Sequence, residues 1–337
     1  MMRTAFPIIN TERFSASLRQ RAVDLTSRTV RITTFEKSEQ ARDFTLPPNC
    51  GGCGRLHHFH RQQGERWPLN PLPIDPALRA LDQPTSDTIQ VQVFQTAVCS
   101  WRCWYCFVDF DLLSANPSHS VMIGVEDLLD RYLKEPIQSP VIDLSGGQPD
   151  LVPEWGLWFA DLIHRRGLDR DIYLWSDDNL SNDYLWRYLA ADEVARLASY
   201  RNYGRVGCFK GFDSHSFAFN TLAAPDLFHQ QFHLMKRLLD AGFDVYGYVT
   251  FTSDDATNVR EKMKTFVDRL QEIHPIFPLR TIPLRIVEFT PTSQRMRDET
   301  RTAMEVQYEA VAAWQEELAE RYSLEVRTRK IYEHRIR

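Results

Sequence analysis

No stretch of this 337-residue chain stays apolar for the ~20 residues a bilayer core requires, so no membrane-crossing helix is expected. The opening residues, MMRTAFPIINTERF, hold neither a long apolar segment nor a small-residue cleavage site. They do not read as a secretory signal, and a cytoplasmic location is expected. Cysteine is scarce: six residues are too few for a disulfide scaffold in a chain of this length. An excess of one charge is missing too. Forty Lys and Arg against 45 Asp and Glu leave a formal net charge of -5, which gives no bulk argument for nucleic-acid binding. No internal repeat stands out, and no separate RNA-binding, leader-peptide-binding or cobalamin module is recognisable. With 43% hydrophobic and 25% charged residues, disorder, collagen and coiled coil are excluded as whole-chain descriptions.

What is present is alternation. Thr88 to Ala97, Pro140 to Leu144, Asp171 to Trp175, Arg205 to Phe209, Phe243 to Thr252 and Thr281 to Phe289 read as strands. Helical periodicity fills the intervals: Gly124 to Glu135, Glu154 to Arg166, Asn182 to Tyr200, a segment from Pro225 to Gly242, and Asp254 to Glu272. Six βα units predict an α/β fold with a parallel sheet, open or curled into a full or partial barrel, whose chemistry sits beyond the carboxyl ends of the strands. The polar pieces CSWRCWYC, SGGQPD, SDDN, KGFD, TFTSDD and TPTSQR all follow strands.

Three divisions are expected. Residues 1–85 read as an extension, with one candidate strand from Arg28 to Phe35 and an irregular stretch after Leu46 rich in Pro, Gly and His. Residues 86–290 form the core. Residues 291–337 contribute a long helix with an apolar stripe of Met304, Tyr308, Val311, Leu318 and Tyr322, then a basic tail of Arg321, Arg327, Arg329, Lys330, Arg335 and Arg337 that reads as solvated.

Five of the six cysteines fall in two tight clusters, the pattern of reduced thiolates serving as metal ligands. Cys99, Cys103 and Cys106 lie within eight residues, straight after a strand. Three thiolates are one short of a closed tetrahedral zinc site. Around a four-iron, four-sulfur cluster they would leave one iron open to a chelating ligand. A structural zinc loop and unrelated buried cysteines are the bland alternatives.

The CxxxCxxC spacing resembles the cluster loop of the radical S-adenosylmethionine (SAM) superfamily. The resemblance spans roughly residues 88 to 290 and implies a partial (β/α)6 TIM-like barrel. It implies a [4Fe-4S] cluster on Cys99, Cys103 and Cys106 whose open iron chelates SAM. One-electron reduction, by a donor such as flavodoxin or ferredoxin, would then yield a 5′-deoxyadenosyl radical that abstracts hydrogen from substrate. Tyr105 matches the aromatic position near the adenine. Gly146, Gly147 and Gln148 match the segment that meets the SAM amino group, with Gln where the family usually has Glu. Ser176 and Asp178 fall where the ribose is reached. Lys210-Gly-Phe-Asp213 is similar to a segment of glycyl-radical-enzyme activases and wybutosine-type tRNA enzymes; there Lys210 would pair with the SAM carboxylate and Asp213 would hold substrate or orient Lys210. Thr250, Thr252, Glu288 and Thr290 end later strands and are candidates to line the same cavity, and Trp101, Trp104, Phe107, Phe110 and Trp175 are candidates to stack on a flat substrate.

Cys50-Gly-Gly-Cys53 leaves three readings open: a structural zinc with two of His57, His58 and His60 or with Cys208, an auxiliary iron–sulfur cluster including Cys208, or a redox pair or plain turn without metal. For the substrate, a small molecule in an oxidoreductase or mutase-like reaction is expected first. A polypeptide that is modified or activated comes second, and a tRNA base or nucleotide third.

Overall fold

Runs of β-branched and aromatic residues, each followed by a helix that returns the chain, have only one easy pairing: side by side and parallel. The computed structural model, which describes residues 8–336, contains that arrangement. Seven strands form its main sheet: β1 (Gly54–His60), β2 (Thr88–Phe94), β3 (Val141–Leu144), β4 (Tyr173–Asp178), β5 (Tyr203–Phe209), β6 (Val245–Thr250) and β7 (Thr281–Leu284). They are neighbours in chain order, with β2 to β7 parallel. The sheet curls into a partial barrel, as the α/β reading expects. All six expected strands are present.

The seventh strand is the departure. β1 belongs to the stretch read as irregular, yet it pairs antiparallel with β2 along its whole length, from Gly54 opposite Phe94 to His60 opposite Thr88. The extension is therefore hydrogen-bonded into the sheet. Its other strands, Val23–Asp24 and Thr29–Thr33, join Ser120–Gly124 in a small antiparallel sheet.

A sheet buried on both faces reads as continuously hydrophobic, and here the two faces carry separate cores. Inside the curl, Val91, Val93, Val141, Tyr173, Trp175, Val206, Tyr246 and Tyr248 pack together. Outside, Leu144, Leu174, Phe209 and Val249 meet Leu128, Leu157, Met235 and Phe266 of the helix layer. Truncating one such large buried ring typically costs about 3–5 kcal/mol. The amino-terminal end of the inner face is closed by Leu72, Ile74 and Leu78 together with Ile331 of the carboxyl-terminal segment.

That segment is docked through its apolar residues and backbone, while its basic side chains Arg327, Arg329, Lys330 and Arg335 are exposed, as the solvated reading expects. Ile331, His334 and Ile336 are buried, and Arg280 donates to the His334 carbonyl (3.0 Å). Arg321 pairs with Asp268 and Glu317, and Arg329 with Glu325. Arg337 lies outside the described residues. The long helix is Asp298–Arg321, and its buried face is Ala303, Val306, Ala310, Val311 and Trp314. Of the expected stripe only Val311 is fully buried, while Tyr308 is exposed: small residues let the helix pack closely, which a search for large apolar side chains misses.

Candidate functional site

The carboxyl ends of the parallel strands open on a cavity of about 360 Å³. Because side chains alternate along a strand, every second residue points into it. β1 sends Arg55, His57 and Phe59; β3 sends Asp143 and, just beyond, Ser145; β4 sends Trp175, Asp177 and, beyond it, Asn179. From β5 come Cys208 and then Lys210, and from β6 Tyr248 and Thr250. The loop after β2 adds Cys99, Cys103, Tyr105 and Cys106, and the turn after β3 adds Gly146, Gly147 and Pro149.

The three-cysteine loop has little regular structure, so its shape depends on outside bonds. The Cys99 amide donates to the Leu113 carbonyl (3.1 Å), and the Arg102 and Trp104 amides donate to the Thr221 and Asn220 carbonyls (3.2 and 3.3 Å). Arg102 donates to the Cys99 and Trp101 carbonyls (2.5 and 2.8 Å). Arg295 donates to the carbonyls of Cys106 and Val108 (2.6 and 2.9 Å). Gln148 is fully buried and does not reach the cavity. Its Oε1 accepts from both the amide and the hydroxyl of Ser100 (2.8 Å each), while its amide nitrogen donates to Asp150 and Ser181. A Gln here thus links the glycine turn to the cysteine loop. A carboxylate could accept from Ser100 but not donate to Asp150.

Gly146 and Gly147 both sit at positive φ (+75° and +63°). A side chain on Gly147 would collide with the Thr96 carbonyl, so the turn is held tight against β2 and its backbone lies bare to the cavity.

Burial pushes the Cys99 thiol up to about 12, reinforced by Cys103 and Cys106, and the Cys103 thiol up to about 11 against the pull of Lys210. Buried thiols of this kind stay protonated until a metal displaces the proton. Lys210 answers them. Burial alone would lower its affinity for a proton, but Cys208, Cys103 and Cys99 together carry it above the ordinary lysine value. The Asn179 amide points at the Cys99 sulfur (3.6 Å), and the Tyr105 hydroxyl meets Thr250 (2.9 Å).

Of the expected site residues, Cys99, Cys103, Cys106, Tyr105, Gly146, Gly147, Lys210, Thr250 and Cys208 come together around this cavity. Others do not. Ser176 bonds Tyr203 (2.7 Å) and Asp178 pairs with Arg205 (2.5 Å), both on the outer face; the residues of opposite parity, Asp177 and Asn179, face inward. Asp213 caps the helix Ser214–Thr221 through the Ser216 amide (2.7 Å) and pairs with Lys262. Thr252 bonds Asn220, and Thr290 bonds Asp43. Among the aromatics, Trp101, Phe107 and Trp175 line the cavity, while Trp104 bonds Asn220 and Phe110 lies under Arg102 and Arg295.

Cys50 and Cys53 lie elsewhere, against Glu135 and Arg131. The Cys50 amide donates to Glu135 (2.7 Å) and Arg131 approaches the Cys53 sulfur (3.7 Å). Neither Cys208 nor the histidines of β1 join them: Cys208 and His57 face the cavity, and His58 bonds Gln90. The structure therefore does not assemble the expected second metal set. Among the described residues no three His, Cys, Asp or Glu side chains converge as ligands of a single ion, the three-cysteine loop included.

Sequence reasoning missed Arg55, Asp143 and Asp177 and expected His57 only as a ligand of a second metal; all four are buried or half-buried at the cavity. Burial and the neighbouring Arg55 push His57 down to about 3, so it stays neutral. Burial and Asp177 push Asp143 well above the usual carboxylate range.

No protein-family model and no curated protein matches the chain. Solved structures that resemble it include SuiB of Streptococcus suis. SuiB bound to the precursor peptide SuiA is 17% identical with a TM-score of 0.38, over 54% of this chain and 36% of that one. SuiB bound to S-adenosylmethionine is 18% identical with a TM-score of 0.38, over 54% and 37%. The chain thus spans little more than a third of SuiB's length.

No helix among the described residues is long and apolar enough to cross a membrane.

Proposed function

We propose that the chain is a radical SAM enzyme whose cavity takes up both SAM and a small substrate. The observation that carries this reading is the meeting, at one end of a partial barrel, of a three-cysteine loop, a bare glycine turn and a half-buried lysine. The donor set fits an iron–sulfur cluster. Three thiols open on one cavity from a fastened loop, and they need not converge on one point, because each thiolate of a cubane holds a different iron. Bound there, cluster and SAM would supply one-electron radical chemistry able to remove hydrogen from an unactivated carbon.

The chain's own residues supply placement. Cys99, Cys103 and Cys106 hold the cluster, and Arg102, Arg295 and Gln148 hold the loop. The backbone of Gly146 and Gly147 meets the SAM amino group, and Lys210 meets its carboxylate. Tyr105, steadied by Thr250, stands beside the adenine. Asp177 and Asn179 replace Ser176 and Asp178 as partners for the ribose. Phe59, Trp175, Ile286 and Phe289 form the apolar lining that keeps water from the reaction. A nucleic-acid substrate stays the third reading: Arg321 and Arg329 are paired locally, while Arg327, Lys330 and Arg335 are exposed.

Anaerobic reconstitution with iron and sulfide, followed by SAM and dithionite, tests the reading. 5′-Deoxyadenosine is expected from wild type and from none of C99A, C103A and C106A. Its absence from a fully loaded wild type, or its persistence in the variants, overturns the assignment. Deuterium passed from a candidate substrate into 5′-deoxyadenosine separates small molecule from polypeptide.

A further inference from the structure

Arg55 is 8% exposed, and its guanidinium makes no hydrogen bond among the described residues; its buried Nε is left without a partner. The rings of Phe44 and Phe107 lie at 5.5 and 5.4 Å from it, which favours the charge without satisfying its donors. Asp143 is 1% exposed, and its Oδ1 is likewise unpartnered. Each feels the other's charge, yet they form no ion pair. Both line the cavity, on β1 and β3, whose strands flank β2 and the cysteine loop that follows it. Asp177, by contrast, is occupied by the Ser145 hydroxyl (2.7 Å). A buried guanidinium and a buried carboxyl without partners are strongly unfavourable unless something else completes them. The structural role open to them, closing on each other, is the one they do not take.

Phe59, Trp175, Leu284, Ile286 and Phe289 add an apolar part to the lining, beside the polar Gln40, Asp43, His57 and Arg285. We propose that Arg55 and Asp143 are the substrate-recognition pair, Arg55 taking a carboxylate and Asp143 an adjacent N–H donor, so that the substrate is an apolar α-amino acid unit with a free carboxylate. This rests on the radical SAM reading for what happens to the bound molecule, but not for its recognition. Arg55 suits the task because its planar fork accepts a carboxylate through two parallel hydrogen bonds. The same chemistry is offered by a free amino acid and by the carboxyl-terminal residue of a peptide.

The probes are L-leucine, L-phenylalanine, L-phenylalaninamide, N-acetyl-L-phenylalanine and glycyl-L-phenylalanine, with binding to the reconstituted protein measured by calorimetry. At least one free acid is expected to bind, with the amide of phenylalanine weaker by tenfold or more. Arg55→Gln should erase that acid-over-amide preference, and Asp143→Asn should weaken the best-binding acid by tenfold or more while keeping the preference for acid over amide. The acid–amide contrast is read on wild type, so it survives a variant that fails to fold. The dipeptide binding better than the free acids places the substrate at a peptide terminus; the reverse places it among free amino acids. If no acid binds, or acid and amide bind equally, the pair does not recognise a carboxylate and the inference fails. A failed cluster reading shows separately, as a reconstituted wild type without iron and sulfide.

Discussion

The two cysteine clusters share a CxxC step and are unlike in what they face. Cys50 and Cys53 lie against Arg131 and Glu135, which bond the turn that carries them. Cys99, Cys103 and Cys106 face a cavity, with Lys210 near enough to offset thiolate charge. Two cysteines on a tight turn are therefore an incomplete signal. What the fold sets opposite the thiols decides whether they are structure or site.

The largest effect should separate the clusters outright. Loss of any cysteine of the 99–106 loop should remove most of the bound iron and all SAM cleavage, while Cys50→Ala/Cys53→Ala should leave iron per chain unchanged, both read by metal and sulfide analysis. Equal losses from both clusters would erase the distinction.

Glycines sharpen it next. Gly147→Ala meets an immovable backbone carbonyl at positive φ and should cost on the order of 3 kcal/mol in denaturant unfolding. Gly51 also has positive φ (+67°), but its added Cβ would meet only the tip of Arg131 at 2.7 Å. Gly51→Ala should cost about 1 kcal/mol.

Gln148→Glu replaces the donor facing Asp150 with a second buried carboxyl, and a loss of about 2 kcal/mol is expected. Behind the same loop, burial and Asp178 push Asp150 up to about 8. A carboxyl whose pKa is raised by folding contributes stability at pH below about 4, and that stability is lost as pH rises through about 8. The melting temperature should fall over that interval in wild type and fall less in Asp150→Asn. At the other cluster, Glu135→Gln only weakens the bond from the Cys50 amide. A loss of about 1 kcal/mol is expected, with no change in iron content.

The core of the fold was legible because six hydrophobic runs alternate with helices, and the cavity's place followed from the strand ends. Parity was not legible. In a sheet buried on both faces, DIYLWSDD offers no polar side to choose, so Ser176 and Asp178 were expected where Asp177 and Asn179 stand. β1 was hidden for a related reason. Its inward positions are Arg55, His57 and Phe59, two of them polar where a strand's core face is normally apolar, and the feature that concealed the strand is the one that marks the site. Asp143, inside PVIDL, passed as part of a buried strand because nothing local distinguishes a charged side chain aimed into a cavity from one paired behind the sheet.

The most direct test of the whole account is an electron paramagnetic resonance spectrum of the reduced, iron-loaded protein before and after SAM is added. An iron without a protein ligand predicts the signal of a reduced four-iron cluster that shifts when SAM binds. A fully loaded cluster whose spectrum SAM leaves untouched would contradict it.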